Sequence, residues 1–257
     1  MRENHIVLFD LDGTLTPPRK SITKENVRAL KELSRIVEIG IVTGSGIAYL
    51  KEQVPADASL MLEALPCNGT QHWQLNGAGW ELVDEGPNMR DTIGKSKYNE
   101  LLLELDQYQR YTMMSHDLPF TGTFISYRRS LVNWSPVGRD ASDEERKTFE
   151  DFDRQSGYRE EMLERLSRRF ASAYRGAIQV KLGGSTSFDI FPTGWNKTYA
   201  LRRFVDRTVW FVGDRTGPGG NDQEIYQVLD PEGRAFTVAN ERETPEVVDR
   251  IISKIIA

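Results

Sequence analysis

Two aspartates one residue apart, Asp10 and Asp12, stand at the end of the apolar run Ile6-Val7-Leu8-Phe9 and are followed by Gly13-Thr14-Leu15-Thr16. A buried strand that stops abruptly at carboxylates delivers them to the carboxyl edge of a parallel sheet, where α/β proteins bind their ligands. Carboxylates at i and i+2, with a glycine behind them to let the backbone turn, can hold one hard divalent cation of the Mg²⁺ type. One of the pair can act as a nucleophile, as in aspartyl-phosphate chemistry, while the other handles protons. Capping of the next loop would account for a bare Asp-x-Asp. The strand in front and the Gly-Thr-Leu-Thr behind favour the catalytic reading.

The elements that must position these residues are legible around them. Thr23 is a plausible N-cap for a helix with Val27, Leu30 and Leu33 on one face, and Ile36 to Val42 is a second strand that stops at Thr43-Gly44-Ser45. Strand, helix, strand is the βαβ pattern. Thr208 to Val212 is a further strand ending at Gly213-Asp214, Ala235 to Val238 is a short one, and Thr244-Pro245 opens a terminal helix. Both ends of the chain therefore belong to one sheet. The middle differs: a leucine-rich helix over Tyr98–Tyr108, a hairpin of Gly122–Tyr127 and Leu131–Ser135 turning at Arg129-Ser130, an N-cap at Ser142 and an amphipathic segment over Tyr158–Phe170. This predicts an α/β core of residues 1–84 and 186–257, with a parallel sheet, interrupted by an α+β insert of residues 85–185.

The run Asp10 to Thr16 resembles the haloacid dehalogenase-like phosphotransferases, and other parts of that superfamily's pattern recur in order. Thr43-Gly44-Ser45 stands where the superfamily places a phosphate-binding hydroxyl, and Lys197 where it has a phosphate-neutralising lysine. Gly213-Asp214 opens the run to Asn221-Asp222 that matches its metal-binding acidic loop. Singly, a strand-end hydroxyl is a turn former, a lone lysine is solvated, and Asp214 with Gly-Pro-Gly-Gly behind it is a turn. The order of the four is what raises them above that. The implied fold is a Rossmannoid core with an inserted cap.

Four segments narrow the resemblance to the eukaryotic-type phosphomannomutases, over nearly the whole chain: Asp10 to Arg19, Asn133 to Arg139, Ser187 to Lys197, and Gly213 to Asp222. That family interconverts mannose 6-phosphate and mannose 1-phosphate with Mg²⁺, a hexose 1,6-bisphosphate activator and a cap that closes over the sugar. The resemblance implies Asp10 as nucleophile and Asp12 as general acid/base. Mg²⁺ would be held by Asp10, the Asp12 backbone carbonyl and Asp214, and Lys197 with the hydroxyl of Thr43 or Ser45 would neutralise the transferring phosphoryl group. Arg19, Arg139, Ser187 and Asp189 would bind the substrate, since a guanidinium can grip a phosphate bidentately. Asp222 stands open between a partner to the metal site and a helix N-cap. A homodimer through the cap is expected by resemblance only.

Three departures bear on the activity. Thr121 precedes Gly122-Thr123-Phe124-Ile125 where the mutases have an arginine, and strand alternation lets only one of Arg128 and Arg129 replace it on the same face. Thr43-Gly44-Ser45 replaces a Gly-Gly-Ser, and Asn196 replaces an aspartate before Lys197. A weaker clamp releases the bisphosphate intermediate and favours hydrolysis, so the alternative to a mutase is a sugar-phosphate phosphatase on the same scaffold. A silent binding protein is disfavoured by the presence of both Asp10 and Asp12.

The 257 residues are 39% hydrophobic and 28% charged, ordinary for a folded protein and too apolar for a disordered one. A net charge of −5 gives no long-range pull towards nucleic acid or anionic membrane, so a small phosphosugar is the expected partner. The one cysteine, Cys67, excludes an intramolecular disulfide and a multi-thiolate zinc site. The start Met1-Arg2-Glu3-Asn4-His5 lacks the apolar stretch of a signal peptide, and a cytoplasmic protein is expected. His5, His72 and His116 have no ligand spacing, and the five tryptophans read as packing residues.

Overall fold

The apolar runs that end at Asp214, Asp10 and Thr43 become three adjacent parallel strands, so the chemistry-bearing loops emerge side by side from one sheet edge. They are β1 (His5–Phe9), β2 (Glu38–Val42) and β10 (Thr208–Gly213), with β1 in the middle. The computed structural model describes residues 4–54, 62–77 and 79–256, so Met1 to Glu3 of the leader reading lie outside the described residues. Outside β10 lies β11 (Ala235–Thr237) and outside β2 lies β3 (Leu62–Leu65), both parallel. Two antiparallel strands, β4 (His72–Asn76) and β5 (Gly79–Asp84), complete a seven-stranded sheet in the order β11-β10-β1-β2-β3-β4-β5. The sheet is therefore mostly parallel, with an antiparallel edge that the sequence reading did not contain.

The crossover between β1 and β2 is α1 (Lys24–Leu33), and Thr23 caps it by accepting from the Asn26 N–H at 3.2 Å. Leu30 and Leu33 are buried as expected, Val27 only half so. Buried Asn26 donates to the carbonyls of Leu15 and Glu241, and Thr244 donates to the carbonyl of Thr14. These bonds tie the loop after β1 to the start of α8 (Thr244–Ile256), whose Val247, Val248 and Ile251 share a core with Val7, Phe9 and Leu30. The two chain ends thus brace the same loop.

Residues up to Gly86 with those from Gly194 on form one compact unit, and Pro87–Thr193 form a second. The second unit is an antiparallel sheet in the order β6-β7-β9-β8: β6 (Ile125–Tyr127), β7 (Val132–Trp134), β8 (Ile178–Gly183) and β9 (Ser187–Pro192). Its helices are α3 (Met89–Ile93), α4 (Lys95–Ser115), α5 (Asp143–Ser156) and α6 (Tyr158–Ala173), with the expected N-cap at Ser142 completed by Glu145 into a capping box. The hairpin turn falls where it was read, with Arg129 at a φ of 61°. The expected change of unit after residue 185 lies instead at 193/194, because β9 pairs with both β7 and β8. Its apolar run, set next to the Lys197 segment, looks like a core strand in sequence; its alternation serves the second sheet.

The tryptophans fit the packing role: Trp134 is fully buried, stacks on Phe188 and donates to Gln109, and Trp210 stacks on Phe236. No described helix is long and apolar enough to cross a membrane.

Candidate active site

The loop after β1 is wound tightly. The Leu11 carbonyl accepts from the N–H groups of Thr14, Leu15 and Thr16, while the Gly13 N–H donates to Thr16 at 2.8 Å. Gly13 sits at a φ of 84°, and a Cβ there would lie 2.4 Å from Asp214 Oδ2. Only glycine allows both the left-handed turn and the approach of the acidic loop. Asp10, at the strand end, is pinned by its N–H to the Val212 carbonyl at 2.9 Å.

Three carboxylates converge here: oxygens of Asp10, Asp214 and Asp222 lie within 4.8 Å of one another. Lys197 Nζ donates to Asp10 Oδ1 and Asp222 Oδ1, both at 2.5 Å, with its side chain wholly buried. The lysine opens a 3-10 helix, Lys197–Arg203, whose N-cap is Asn196 accepting from the Thr198 N–H. Asparagine and aspartate cap equally well, so the departure at Asn196 leaves the placement of Lys197 unchanged.

Asp222 occupies the N-cap position of α7 (Gln223–Leu229) but makes no side-chain cap. Its carboxylate turns back instead, to Lys197 and to the Arg215 N–H at 3.1 Å, closing the acidic loop on itself. Of the two roles left open for it, the geometry is that of a partner in the carboxylate cluster.

Burial raises the Asp10 carboxyl well above the usual range, Asp222 and Asp214 add to the shift, and Lys197 opposes it. Asp214 is raised too, first by burial and then by Asp222. Burial alone would lower the Lys197 ammonium, but Asp10 and Asp222 outweigh it and hold the lysine charged. Three carboxylates meet one ammonium and, 3.8 Å from Asp214, the guanidinium of Arg215, so acidic groups outnumber basic ones by one. Asp214 Oδ1 is also buried with no hydrogen-bond partner among the described residues. An all-oxygen donor set with an orphaned carboxylate oxygen and that charge deficit fits a hard divalent cation.

The Asp12 carboxylate stays out of the cluster. Its Oδ1 accepts from Gln53 Nε2 at 2.9 Å, the Tyr49 hydroxyl at 3.3 Å and the Arg19 N–H at 3.0 Å. Of the expected metal residues, Asp12 therefore contributes no side-chain oxygen here. Arg19 is exposed, at a φ of 62°. Gln53 and Tyr49 come from α2 (Ile47–Gln53), which directly follows Thr43-Gly44-Ser45.

Thr43 is buried, accepts the Ser45 N–H on its hydroxyl at 3.1 Å and is held by backbone bonds to Leu65 and Asn68. The Ser45 carbonyl accepts from the Cys67 N–H. Cys67 and Asn68 both have positive φ, 53° and 62°, a strained pair that presses the loop after β3 against the hydroxyl loop.

In the second unit, Ser187 and Asp189 are brought together by a residue the sequence reading did not assign. Asn133 Nδ2 donates to Ser187 Oγ at 2.9 Å and Asp189 Oδ1 at 2.8 Å. Arg128 places a guanidinium 3.8 Å from Asp189, so of the two hairpin arginines it is Arg128 that shares this face. Ser126, Asn133, Asp189 and Lys181 stand in cross-strand register, opposite the face that carries Trp134 and Phe188. Arg139 lies on the loop after β7, half-buried, its N–H bonded to the Thr123 carbonyl. Thr121 donates its hydroxyl to Glu145 at 2.6 Å, joining the capping box of α5.

A family model described as eukaryotic phosphomannomutase matches residues 26–255. A phosphomannomutase of Encephalitozoon cuniculi is 36% identical over 258 residues, covering 98% of this chain and 95% of that protein. One from Arabidopsis thaliana is 36% identical over 236 residues, covering 90% and 91%. Among solved structures, an IMP-nucleotidase of Plasmodium falciparum matches with a TM-score of 0.67 at 15% identity, covering 97% of this chain and 68% of that one. A haloacid dehalogenase-like hydrolase from Bacteroides thetaiotaomicron matches with a TM-score of 0.56 at 14% identity, covering 97% and 100%. At these identities the two structures speak for the fold alone.

Proposed function

Because the chain belongs to the eukaryotic phosphomannomutase family, a family of phosphotransferases, we propose that it interconverts mannose 6-phosphate and mannose 1-phosphate through a phosphoryl group carried on Asp10, with Mg²⁺ and a hexose 1,6-bisphosphate activator. The observation that carries this reading is the cluster of Asp10, Asp214 and Asp222 around Lys197, with Asp12 held just outside it. Asp10 is the nucleophile: a carboxylate oxygen bonds to phosphorus as the bond from phosphorus to the sugar oxygen breaks. Asp12 gives the leaving oxygen its proton. In the return direction Asp12 takes a proton from a sugar hydroxyl, that oxygen bonds to phosphorus, and the acyl-phosphate bond to Asp10 breaks.

Lys197, with the hydroxyl of Thr43 or Ser45, neutralises the phosphoryl oxygens. Positioning and charge neutralisation are most of what such a transfer demands. Mg²⁺ held by Asp10, Asp214 and the Asp12 carbonyl, with Asp222 behind them, would add positive charge on the phosphoryl oxygens. Residues 87–193 serve as the cap, and Arg128, Arg139, Asn133, Ser187 and Asp189 hold the sugar and its other phosphate. Arg19 lies at the mouth of the core. The working protein is a cytoplasmic homodimer through the cap.

One observation favours a second reading, a sugar-phosphate phosphatase. Thr121 supplies no guanidinium, and its hydroxyl is committed to Glu145. Phosphorus NMR of mannose 1-phosphate with Mg²⁺, with and without a hexose bisphosphate, tests both. Mannose 6-phosphate is the expected product; inorganic phosphate alone would replace the mutase with the phosphatase.

A further inference from the structure

Gln53 is a glutamine with an unbalanced amide. It is 2% exposed, and its Nε2 donates to Asp12 Oδ1 at 2.9 Å. Its Oε1 is buried and has no hydrogen-bond partner among the described residues. A buried carbonyl left without a donor destabilises a fold, and a glutamine placed only for packing would be better replaced by an apolar side chain of similar volume. Turning the amide over would set Oε1 against the Asp12 carboxylate oxygen, so the donor contact fixes which way the group faces. The residue keeps an unfavourable half in order to hold Asp12 with the other.

The rest of the clamp has the same form. Tyr49, one helical turn earlier on α2, brings its hydroxyl to the same Oδ1, and the Arg19 N–H makes a third donor. Three donors converge on one oxygen of one carboxylate. The backbone at Gln53 is fixed independently, its carbonyl accepting the Ile22 N–H at 2.9 Å.

We propose that Gln53, assisted by Tyr49, is the positioning residue for the proton transfer at Asp12: it saturates Oδ1 and leaves Oδ2 as the atom that carries and releases the proton. This rests on the role given to Asp12 above. When Asp10 attacks phosphorus and the bond to an alkyl oxygen breaks, the proton on Asp12 Oδ2 moves to that oxygen, and the negative charge left on Asp12 is stabilised at Oδ1. Because α2 begins immediately after the Thr43 to Ser45 loop, one element grips the phosphate and orients the acid.

The test compares leaving groups, using the full chain with Mg²⁺. Alkyl donors, mannose 1-phosphate and glycerol 2-phosphate, leave as alkoxides that need the proton; p-nitrophenyl phosphate leaves as a stable phenolate that does not. Gln53→Met should cut kcat on the alkyl donors by roughly 10- to 100-fold, a part of what general acid catalysis supplies. KM of the aryl donor and its first burst of p-nitrophenolate, released before Asp12 is needed to break down the acyl phosphate, should stay within about threefold, and Tm should be unchanged or higher because the orphaned carbonyl is gone. Tyr49→Phe should show the same pattern at about fivefold, the worth of one ordinary hydrogen bond.

Equal losses on the alkyl donors and on the first burst from the aryl donor, or a Tm lowered by several degrees in Gln53→Met, would overturn the proposal in favour of a packing role. A wild type silent on mannose 1-phosphate but active on glycerol 2-phosphate would reject the mannose assignment alone, with Gln53 still read on the second alkyl donor. Silence on every donor overturns both.

Discussion

The two clusters of polar residues are built on opposite electrostatic plans. Around Lys197 three carboxylates meet one ammonium and, at Asp214, the Arg215 guanidinium, so carboxylates outnumber cations by one and one oxygen is without a donor. On the sheet of the second unit, Asp189 meets Arg128 and the amide of Asn133, and Ser187 is bonded at both ends, to Asn133 and to the Gly183 carbonyl. The first arrangement leaves carboxylates in excess, as a cation site would, and is held by backbone bonds at strand ends. The second is nearly satisfied by itself and is held by cross-strand side-chain pairs. Under the proposed function the difference matches two tasks: groups that stabilise developing charge are poised against one another, and groups that recognise the sugar phosphate stay paired until it exchanges with them.

The sharpest way to break this contrast is to remove the nucleophile. Asp10→Asn keeps the shape and the hydrogen bond to Lys197 but cannot form an acyl phosphate, so turnover should fall by roughly a thousandfold or more with the circular dichroism spectrum unchanged. Substantial residual turnover would mean that the cluster is not the covalent centre.

Next in size is the response to cation and pH. The folded protein holds protons on Asp10 and Asp214 more tightly than the unfolded chain does, because burial and mutual repulsion raise both. Stability from this cluster is therefore lost as pH rises from the ordinary carboxylate range through the raised values, and levels off above them. Carboxyls such as Asp84 and Glu145, lowered by their hydrogen bonds, work the other way. The informative quantity is thus the difference between wild type and Asp214→Asn. Thermal melts in chelator from about pH 5 to about pH 8 should show wild type losing a few degrees relative to the variant. Millimolar Mg²⁺ should restore wild type preferentially, by mass action on the folded state. Parallel curves with and without Mg²⁺ would show that the excess charge has no cation to meet.

These same contrasts decide what was legible beforehand. Asp10 could be read because it ends an apolar strand, whereas Thr43, Asp214 and Lys197 were reached through the superfamily resemblance and the order of its motifs; parallel pairing then makes the strand-end loops neighbours. Gln53 and Tyr49 could not, since nothing in a helix sequence says that its inner face meets a carboxylate some forty residues earlier. Asn133 was quoted within a motif but not singled out, because its value depends on registration with Asp189, 56 residues away. The β4 and β5 hairpin was legible and went unread: Trp73 and Leu75, then Trp80 and Leu82, alternate with polar neighbours on either side of Asn76-Gly77, and Asn68-Gly69 was a further unused turn signal. The unit boundary was misplaced for another reason: a six-residue strand next to a catalytic motif does not say which sheet it joins.

A smaller effect is expected on the recognition side. Asn133→Ala removes the amide shared by Ser187 and Asp189, leaving the buried Asp189 carboxylate with one fewer donor. KM for the sugar phosphate should rise about tenfold while kcat changes little, since binding rather than the transferring group is affected. A fall in kcat with KM unchanged would move Asn133 into the chemistry and erase the distinction between the two regions.

The smallest and most diagnostic change is Thr121→Arg. It supplies a guanidinium where the resemblance leads one to expect it, and by the contrast drawn above it should act only on recognition. Two opposing terms set its size. The new cation should tighten the grip on a phosphate, lowering KM by a few fold, as for an exposed charge-assisted contact. The change also removes the hydroxyl from Glu145, whose side chain additionally caps the Ser142 N–H, at the loss of one hydrogen bond. Because Glu145 keeps its bond to Ser142, α5 should remain capped and the unit folded. The readout is the ratio of mannose 6-phosphate to inorganic phosphate formed from mannose 1-phosphate and the bisphosphate. A firmer hold on the bisphosphate should raise that ratio with turnover at Asp10 unchanged. If the ratio does not move while KM falls, the partition between transfer to sugar and to water is set in the Lys197 cluster, and the arginine position only adjusts affinity.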